Sequence, residues 1–214
     1  MVCFNKEMFV TVPPQIVSQN NVSSHVQYVE VPTLIQKSLS KAVTVPDVPF
    51  YSQFKDITPV AWQKVGCGVT SLAMVIDYYN EDAVTVNKLL TQGIDAGAYK
   101  KSTGWIHSGL ISLSKKYGLN GRTYDLSNLD QETAFTQFKK SLNDGPVIVS
   151  VHYKFDVKNP IPHLVVINGI DGDTLYYNDP AANIGDKKIS SSDFIKSWKK
   201  KFIVIRPVEV DTLV

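Results

Sequence analysis

The chain has 214 residues, enough for one ordinary domain with a tail and for a sizeable buried core. Hydrophobic residues make up 43% and charged residues 20%, the balance of a folded globular domain, and a net charge of +2 gives no electrostatic case for binding nucleic acid. No apolar run approaches the roughly 18 residues that a membrane span needs, and Asn5, Lys6 and Glu7 interrupt the N-terminal apolar residues, so no secretory h-region is visible and a cytoplasmic location is the default expectation.

Residues 1–46 are rich in Val, Ser, Gln and Asn and are broken early by Pro13-Pro14. The stretch Val26–Val31 is β-prone, yet nothing before Pro46 carries enough apolar mass for a core of its own. This part is predicted to be an N-terminal extension, mobile or acting as a propeptide-like arm, with residues 47–214 forming the folded domain. From Val48 the texture changes. Val48–Gln53 reads as a short extended segment and residues 54–66 as a loop. A helix then opens at Cys67, with Val69, Leu72, Ala73, Ile76 and Tyr79 recurring at three- and four-residue steps along one face. Further helices are predicted over 86–92, 106–117 and 131–142, the last stopped by Asn143-Asp144-Gly145-Pro146. Strands follow at 147–151, 164–168, 174–178 and 202–206, rich in β-branched and aromatic residues and bounded by Gly, Pro, Asn and Asp. Between the last two, Phe194–Trp198 reads as an amphipathic helix whose final turn is Lys199-Lys200-Lys201, where cations suit the helix dipole. Helices come first and strands later, which favours an α+β layout of N-terminal helices packed on a C-terminal antiparallel sheet.

Chemistry concentrates at Cys67. A thiol between two glycines at the mouth of a helix faces unpaired backbone N–H groups and the positive end of the macrodipole, and both favour the thiolate. The alternative is a small buried residue, since free cysteine packs like a small hydrophobe. Cys3 and Cys67 lie too far apart, and in too different contexts, to suggest a disulfide framework or a paired-ligand metal site. A zinc site built from Cys67, His163 and Asp179 lacks metal-ligand spacing.

The two central strands flank Gly169-Ile170-Asp171-Gly172-Asp173, a hairpin turn signal. A three-residue loop with Asp171 at its apex and Gly172 left-handed sets His163 opposite Asp179, within reach of a carboxylate–imidazole hydrogen bond. A two-residue Asp171-Gly172 turn sends the two side chains to opposite faces. His107 and His152 are rival bases, His107 within a helix and His152 at a strand end.

Several pieces, in order, resemble the C39-like, papain-like cysteine peptidases. They are Tyr51-Ser52-Gln53, the run Cys67-Gly68-Val69-Thr70-Ser71-Leu72-Ala73-Met74, Gly145-Pro146-Val147, the run His163-Leu164-Val165-Val166-Ile167-Asn168-Gly169, and Asn178-Asp179-Pro180. The resemblance covers most of the chain. It implies a papain-like fold in which a helix carrying the nucleophile packs on an antiparallel sheet carrying a histidine and an acid. It further implies Cys67 as nucleophile, His163 as its base and acid partner, Asp179 as the group that orients the imidazole, and a glutamine beside the Cys67 N–H as oxyanion donor. Gln53 matches the family's opening motif, whereas Gln63 is nearer to Cys67 in sequence and is the alternative. Val69 stands where many relatives have proline. Neither a transmembrane nor an ATP-binding region accompanies the domain in this sequence, so a peptidase fused to an exporter is not expected. The expected activity is hydrolysis of peptide bonds in a peptide or protein substrate, with no cofactor and no metal. The alternatives are an amidase or acyltransferase of the same fold, for example on cell-wall peptide, and a catalytically silent peptide-binding module.

Overall fold

In this computed structural model the described residues are 45–208; the β-prone stretch Val26–Val31 and the rest of residues 1–44 lie outside them. The extended strap 45–53 leads into a loop holding one turn of helix, α1 (Val60–Gln63). Three helices follow: α2 (Cys67–Tyr79), α3 (Val86–Asp95) and, after a two-stranded ribbon of β1 (Tyr99–Lys100) and β2 (Gly104–Trp105), α4 (His107–Ser114). The second half alternates strands with two helices: β3 (Leu119–Asp125), α5 (Gln131–Leu142), β4 (Val147–His152), β5 (Pro162–Asp171), β6 (Thr174–Asn178), β7 (Lys187–Ser190), α6 (Ser191–Ser197) and β8 (Trp198–Pro207).

Six strands form one antiparallel sheet in the order β3-β8-β4-β5-β6-β7. Strand residues alternate between its faces, as a pleat requires. Ile148, Leu164, Val166, Ile203 and Ile205 pack with α2, α3 and α4, whereas Val147, Val149, Val151, Val165, Ile167 and Phe202 pack with α5 and α6. The helices therefore cover both faces of the sheet, and α+β architecture with antiparallel pairing holds as expected. Burial on both faces explains why the central strands read as continuous apolar runs.

Besides the short ribbon of β1 and β2, two strands of the six-stranded sheet escaped the sequence pattern. β3 and β7 are the sheet edges, with one face open and polar residues such as Asn120, Arg122, Lys187 and Lys188, which guard an edge against pairing with another chain. The lysine run also differs from expectation. α6 stops at Ser197, and Lys199, Lys200 and Lys201 belong to β8 rather than to a helix end. The ladder with β4 shifts there, between Ser150 and Val151, and Lys200 takes φ +55° so that its ammonium donates to the Leu129 carbonyl at 2.6 Å. Lys201 pairs with Asp125 on the neighbouring edge strand at 2.9 Å.

One end of the sheet collects the chemistry. Val151 near the end of β4 is paired both with His163 near the start of β5 and with Trp198 at the start of β8, and β6 runs out beside them at Asn178.

Candidate active site

Cys67 is the first residue of α2, with Gly66 as its N-cap and no side chain capping the first turn. The N–H groups of that turn are left aimed outward at the thiol's surroundings. Both flanking glycines are there for space. A Cβ on Gly68 would sit 2.5 Å from Trp105 Cγ, and one on Gly66 would collide with Ile57 and crowd the Trp62 carbonyl at 3.2 Å. Trp105 is pinned in turn by its indole N–H, which donates to the Val65 carbonyl at 2.6 Å. Tyr99 completes the cluster, its ring centroid 5.0 Å from Trp62 and 5.3 Å from Trp105. Ser71, one turn along the same helix face as Cys67, donates its hydroxyl to the Leu164 carbonyl at 3.2 Å. That buried bond fixes α2 on β5 one residue from His163.

His163 and Asp179 meet. The imidazole Nε2 donates to Asp179 Oδ1 at 2.6 Å, and the same oxygen accepts the Ala181 N–H at 2.8 Å. Both side chains are buried, His163 at 4% exposure and Asp179 at 7%. Burial alone would strip the charge from His163. The hydrogen bond to Asp179, the charge on that carboxylate and the nearby Cys67 outweigh it and push the imidazole pKa up to about 9. For Asp179 burial likewise opposes the charge, but the bond and charge of His163 and the Ala181 N–H hold the carboxyl below its ordinary value. The Tyr153 ring stands edge-on to His163 at 5.1 Å.

Neither turn considered from the sequence is the one that forms. The hairpin closes through Gly172-Asp173, with Asp171 paired to Thr174 and Gly172 left-handed at φ +55°. Carried on unbroken, that register would set Asp179 against Val166, one pleat out of phase with His163. The ladder instead shifts between Ile167 and Gly169, where Asn168 forms a β-bulge, so that Val166 pairs with Asn178. Asp179 then comes level with Val165 and lies on the His163 side of the pleat. Turn and bulge each shift the phase by one, and together they restore the facing that the three-residue loop was invoked to supply.

Of the two glutamines, Gln53 lies beside Gly66, the residue before Cys67. Its Cβ would stand 3.4 Å from a Cβ built on Gly66, and it is 3% exposed. Its amide Nε2 donates to the Gln63 main-chain carbonyl at 2.7 Å, which leaves one N–H of that group to aim. The Gln63 side chain is turned to the Ile57 carbonyl at 2.9 Å. Residues 54–66, with helix α1 among them, form the loop that brings Gln53 back beside Gly66. The rival histidines are engaged elsewhere. His107 Nε2 contacts Ser150 Oγ at 3.3 Å, with burial lowering its pKa, and His152 Nδ1 donates to the Asn159 carbonyl at 2.9 Å. A cavity of about 400 Å³ lined by Asn120, Arg122, Arg206 and Val208 lies at the far end of the sheet. Among the described residues no cluster of three or more His, Cys, Asp or Glu stands ready to hold a metal ion.

Ser71 and Tyr153 were the contacts without a role in the sequence reading. Ser71 had a signal, its four-residue step from Cys67; Tyr153 sits in an irregular loop and had none.

A helix opening on a cysteine, laid on an antiparallel sheet whose end carries a histidine bonded to an aspartate, is the architecture of a papain-like fold. Residues 45–201 match the Peptidase_C39 like family, and the chain belongs to that family. A curated relative, the pediocin PA-1 transport/processing ATP-binding protein PedD of Pediococcus acidilactici, is 29% identical over 141 residues, 66% of this chain, which spans 17% of that protein's length. Among solved structures, a double glycine motif protease from an AMS/PCAT transporter, in complex with its leader peptide, is 25% identical with a TM-score of 0.54, covering 78% of this chain and 96% of that one. A C39-like peptidase from Bacillus anthracis is 22% identical at TM-score 0.53, covering 78% and 98%. The peptidase domain of Streptococcus ComA is 22% identical at TM-score 0.52, covering 68% and 93%; these last two bear on the fold alone. The chain is thus a C39 peptidase domain, related to peptidase domains found in transporters.

Proposed function

We propose that this chain hydrolyses peptide bonds through a covalent thioester on Cys67. The observation that supports it most is the buried His163–Asp179 bond of 2.6 Å, with Cys67 among the groups that raise the His163 pKa. In this reading the thiol proton rests on His163 and the thiolate attacks the scissile carbonyl carbon. The resulting oxyanion takes hydrogen bonds from the Cys67 N–H and the free N–H of Gln53. His163 then gives its proton to the leaving amine, the C–N bond breaks, and the acyl group stays on sulfur. A water enters, His163 removes its proton, and the hydroxide displaces the thiolate to release the new carboxylate. Asp179 keeps Nε2 protonated throughout, so that the other nitrogen faces sulfur.

The neighbour bound to its leader peptide is named for a double-glycine motif. We extend that substrate class to this chain: a peptide carrying two adjacent glycines. Residues 1–46 are read as an extension outside the catalytic unit, in keeping with a family match that begins at residue 45.

The test is cleavage of a synthetic peptide panel by the full chain, half the peptides with a Gly-Gly pair and half with Ala-Ala in its place, followed by mass spectrometry. Cleavage after the glycines by the wild type and none by Cys67→Ala is the expected result. Binding without cleavage by the wild type would make the chain a peptide-binding module instead.

A further inference from the structure

We propose that Asn178 is a positioning residue that holds the acid and the oxyanion arm of this site in one frame. The inference rests on the catalytic reading above. Asn178 is the last residue of β6, is fully buried, and directly precedes Asp179. Its side chain is used at both ends. Nδ2 donates to the Val48 carbonyl at 2.8 Å, with a longer contact to Pro49 at 3.4 Å, and Oδ1 accepts the Asp186 N–H at 2.8 Å.

Those two partners belong to the two segments that need to be aligned. Val48 and Pro49 lie on the strap that runs into Gln53. Asp186 closes the loop that begins with Asp179. Strap and loop are stitched again further on, where the Gln53 N–H donates to the Pro180 carbonyl at 2.8 Å and the Ser52 hydroxyl to the Ala182 carbonyl at 3.0 Å. Behind them Asp186, at φ +51°, accepts from Asn168 Nδ2 at 3.2 Å, and Asn168 is the bulge that puts Asp179 on the His163 side. Gly185 leaves the room this requires, since a Cβ there would lie 2.8 Å from both Asn178 Oδ1 and Phe50 Cβ. A run of side-chain bonds thus passes from the bulge through Asp186 and Asn178 to the strap.

An amide suits this place because it donates and accepts at once. A carboxylate would leave the Val48 carbonyl unpaired, and an aliphatic residue would strand both partners. Misplacing a reacting group by about 1 Å costs on the order of a hundredfold in rate, so small shifts of Asp179 or Gln53 are enough to matter.

The test reads His163 directly, by NMR titration of labelled imidazoles in the full chain, alongside iodoacetamide labelling of Cys67 at about pH 6 in a Cys3→Ser background. The groups facing His163 are Cys67 from α2, Asp179 after β6 and the Tyr153 ring after β4, with Lys187 acting on Asp179, and all remain in the variants. Asn178→Ala is expected to lower the His163 midpoint by about one unit or more and to slow labelling about tenfold. Leu142→Ala, which removes a buried leucine from the C-terminal end of α5, is expected to lower the melting temperature with neither readout changed. Ser52→Ala, which cuts the stitch to Ala182 and the 3.4 Å contact from the Phe54 N–H, should move both readouts in the Asn178→Ala direction by a few-fold at most. An Asn178→Ala protein that melts lower but keeps both readouts would overturn the proposal; should that variant not fold, unchanged readouts in Ser52→Ala do the same. A wild type that labels slowly at about pH 6, with His163 titrating at its ordinary value, defeats the catalytic reading itself, and with it this one.

Discussion

The two faces of the sheet are packed from different materials. Under α5 and α6 the core is aromatic: the Phe138 ring lies 5.4 Å from Phe194, 5.1 Å from Trp198 and 5.5 Å from Phe202. Under α2, α3 and α4 it is mostly aliphatic, and buried Thr70, Ser71, Ser114 and Ser150 are set into it. Aromatic burial is large and tolerant of small displacements. The other face works by directional contacts instead, with Ser71 bonded to the Leu164 carbonyl and Gly68 pressed on Trp105. One face supplies stability in bulk, and the other spends its contacts on where Cys67 stands and on the Leu164 carbonyl next to His163.

That division can be broken from either side. Phe138→Ala should cost about 3–5 kcal/mol of stability by urea unfolding, while iodoacetamide labelling of the remaining native protein stays unchanged. A parallel loss of labelling would show that the two faces do not act separately. Gln53→Ala should do the reverse. The turnover number falls roughly 10²- to 10³-fold, about 2.7–4 kcal/mol of transition-state stabilisation, while labelling of the ground-state thiol is spared. A Gln63→Ala variant that loses as much would reassign the donor.

The smallest effect is the pH dependence of stability. His163 has its pKa raised in the folded chain, so its contribution is complete below the unfolded value near 6.5 and is lost as pH rises through about 9. Asp179 has its pKa lowered, so its contribution is complete above the unfolded value near 4 and is lost as pH falls through the folded one. The urea midpoint of the wild type relative to Asp179→Asn should therefore be highest between about pH 5 and 6.5 and decline on both sides. A difference that keeps growing towards pH 9 would contradict the ion pair.

Much of the directional face was legible in the sequence. The helix opening at Cys67 has a clean apolar stripe, and β4, β5 and β6 have strong strand composition; those elements form where expected. Edge strands were not legible, because β3 and β7 bury too little to impose a period of two. The lysine run misled for a related reason: cations suit a helix end, and nothing local signals that Trp198 starts a strand. The facing of His163 and Asp179 followed from the right parity but the wrong turn. Gly169-Ile170-Asp171-Gly172-Asp173 offers several places to turn, and a bulge at Asn168 carries no residue signature of its own. Gln53 was reachable only through resemblance, since its approach to Gly66 depends on how a thirteen-residue loop folds.

The account turns on an ion pair between Cys67 and His163. Its most direct test is the rate of Cys67 alkylation by iodoacetamide across pH, in the Cys3→Ser background, with and without His163→Ala. Rapid labelling at about pH 6, where an ordinary thiol with a pKa of roughly 8.5 is almost unreactive, and loss of that labelling in His163→Ala, is the predicted result. Equally slow labelling in both proteins at that pH would contradict it.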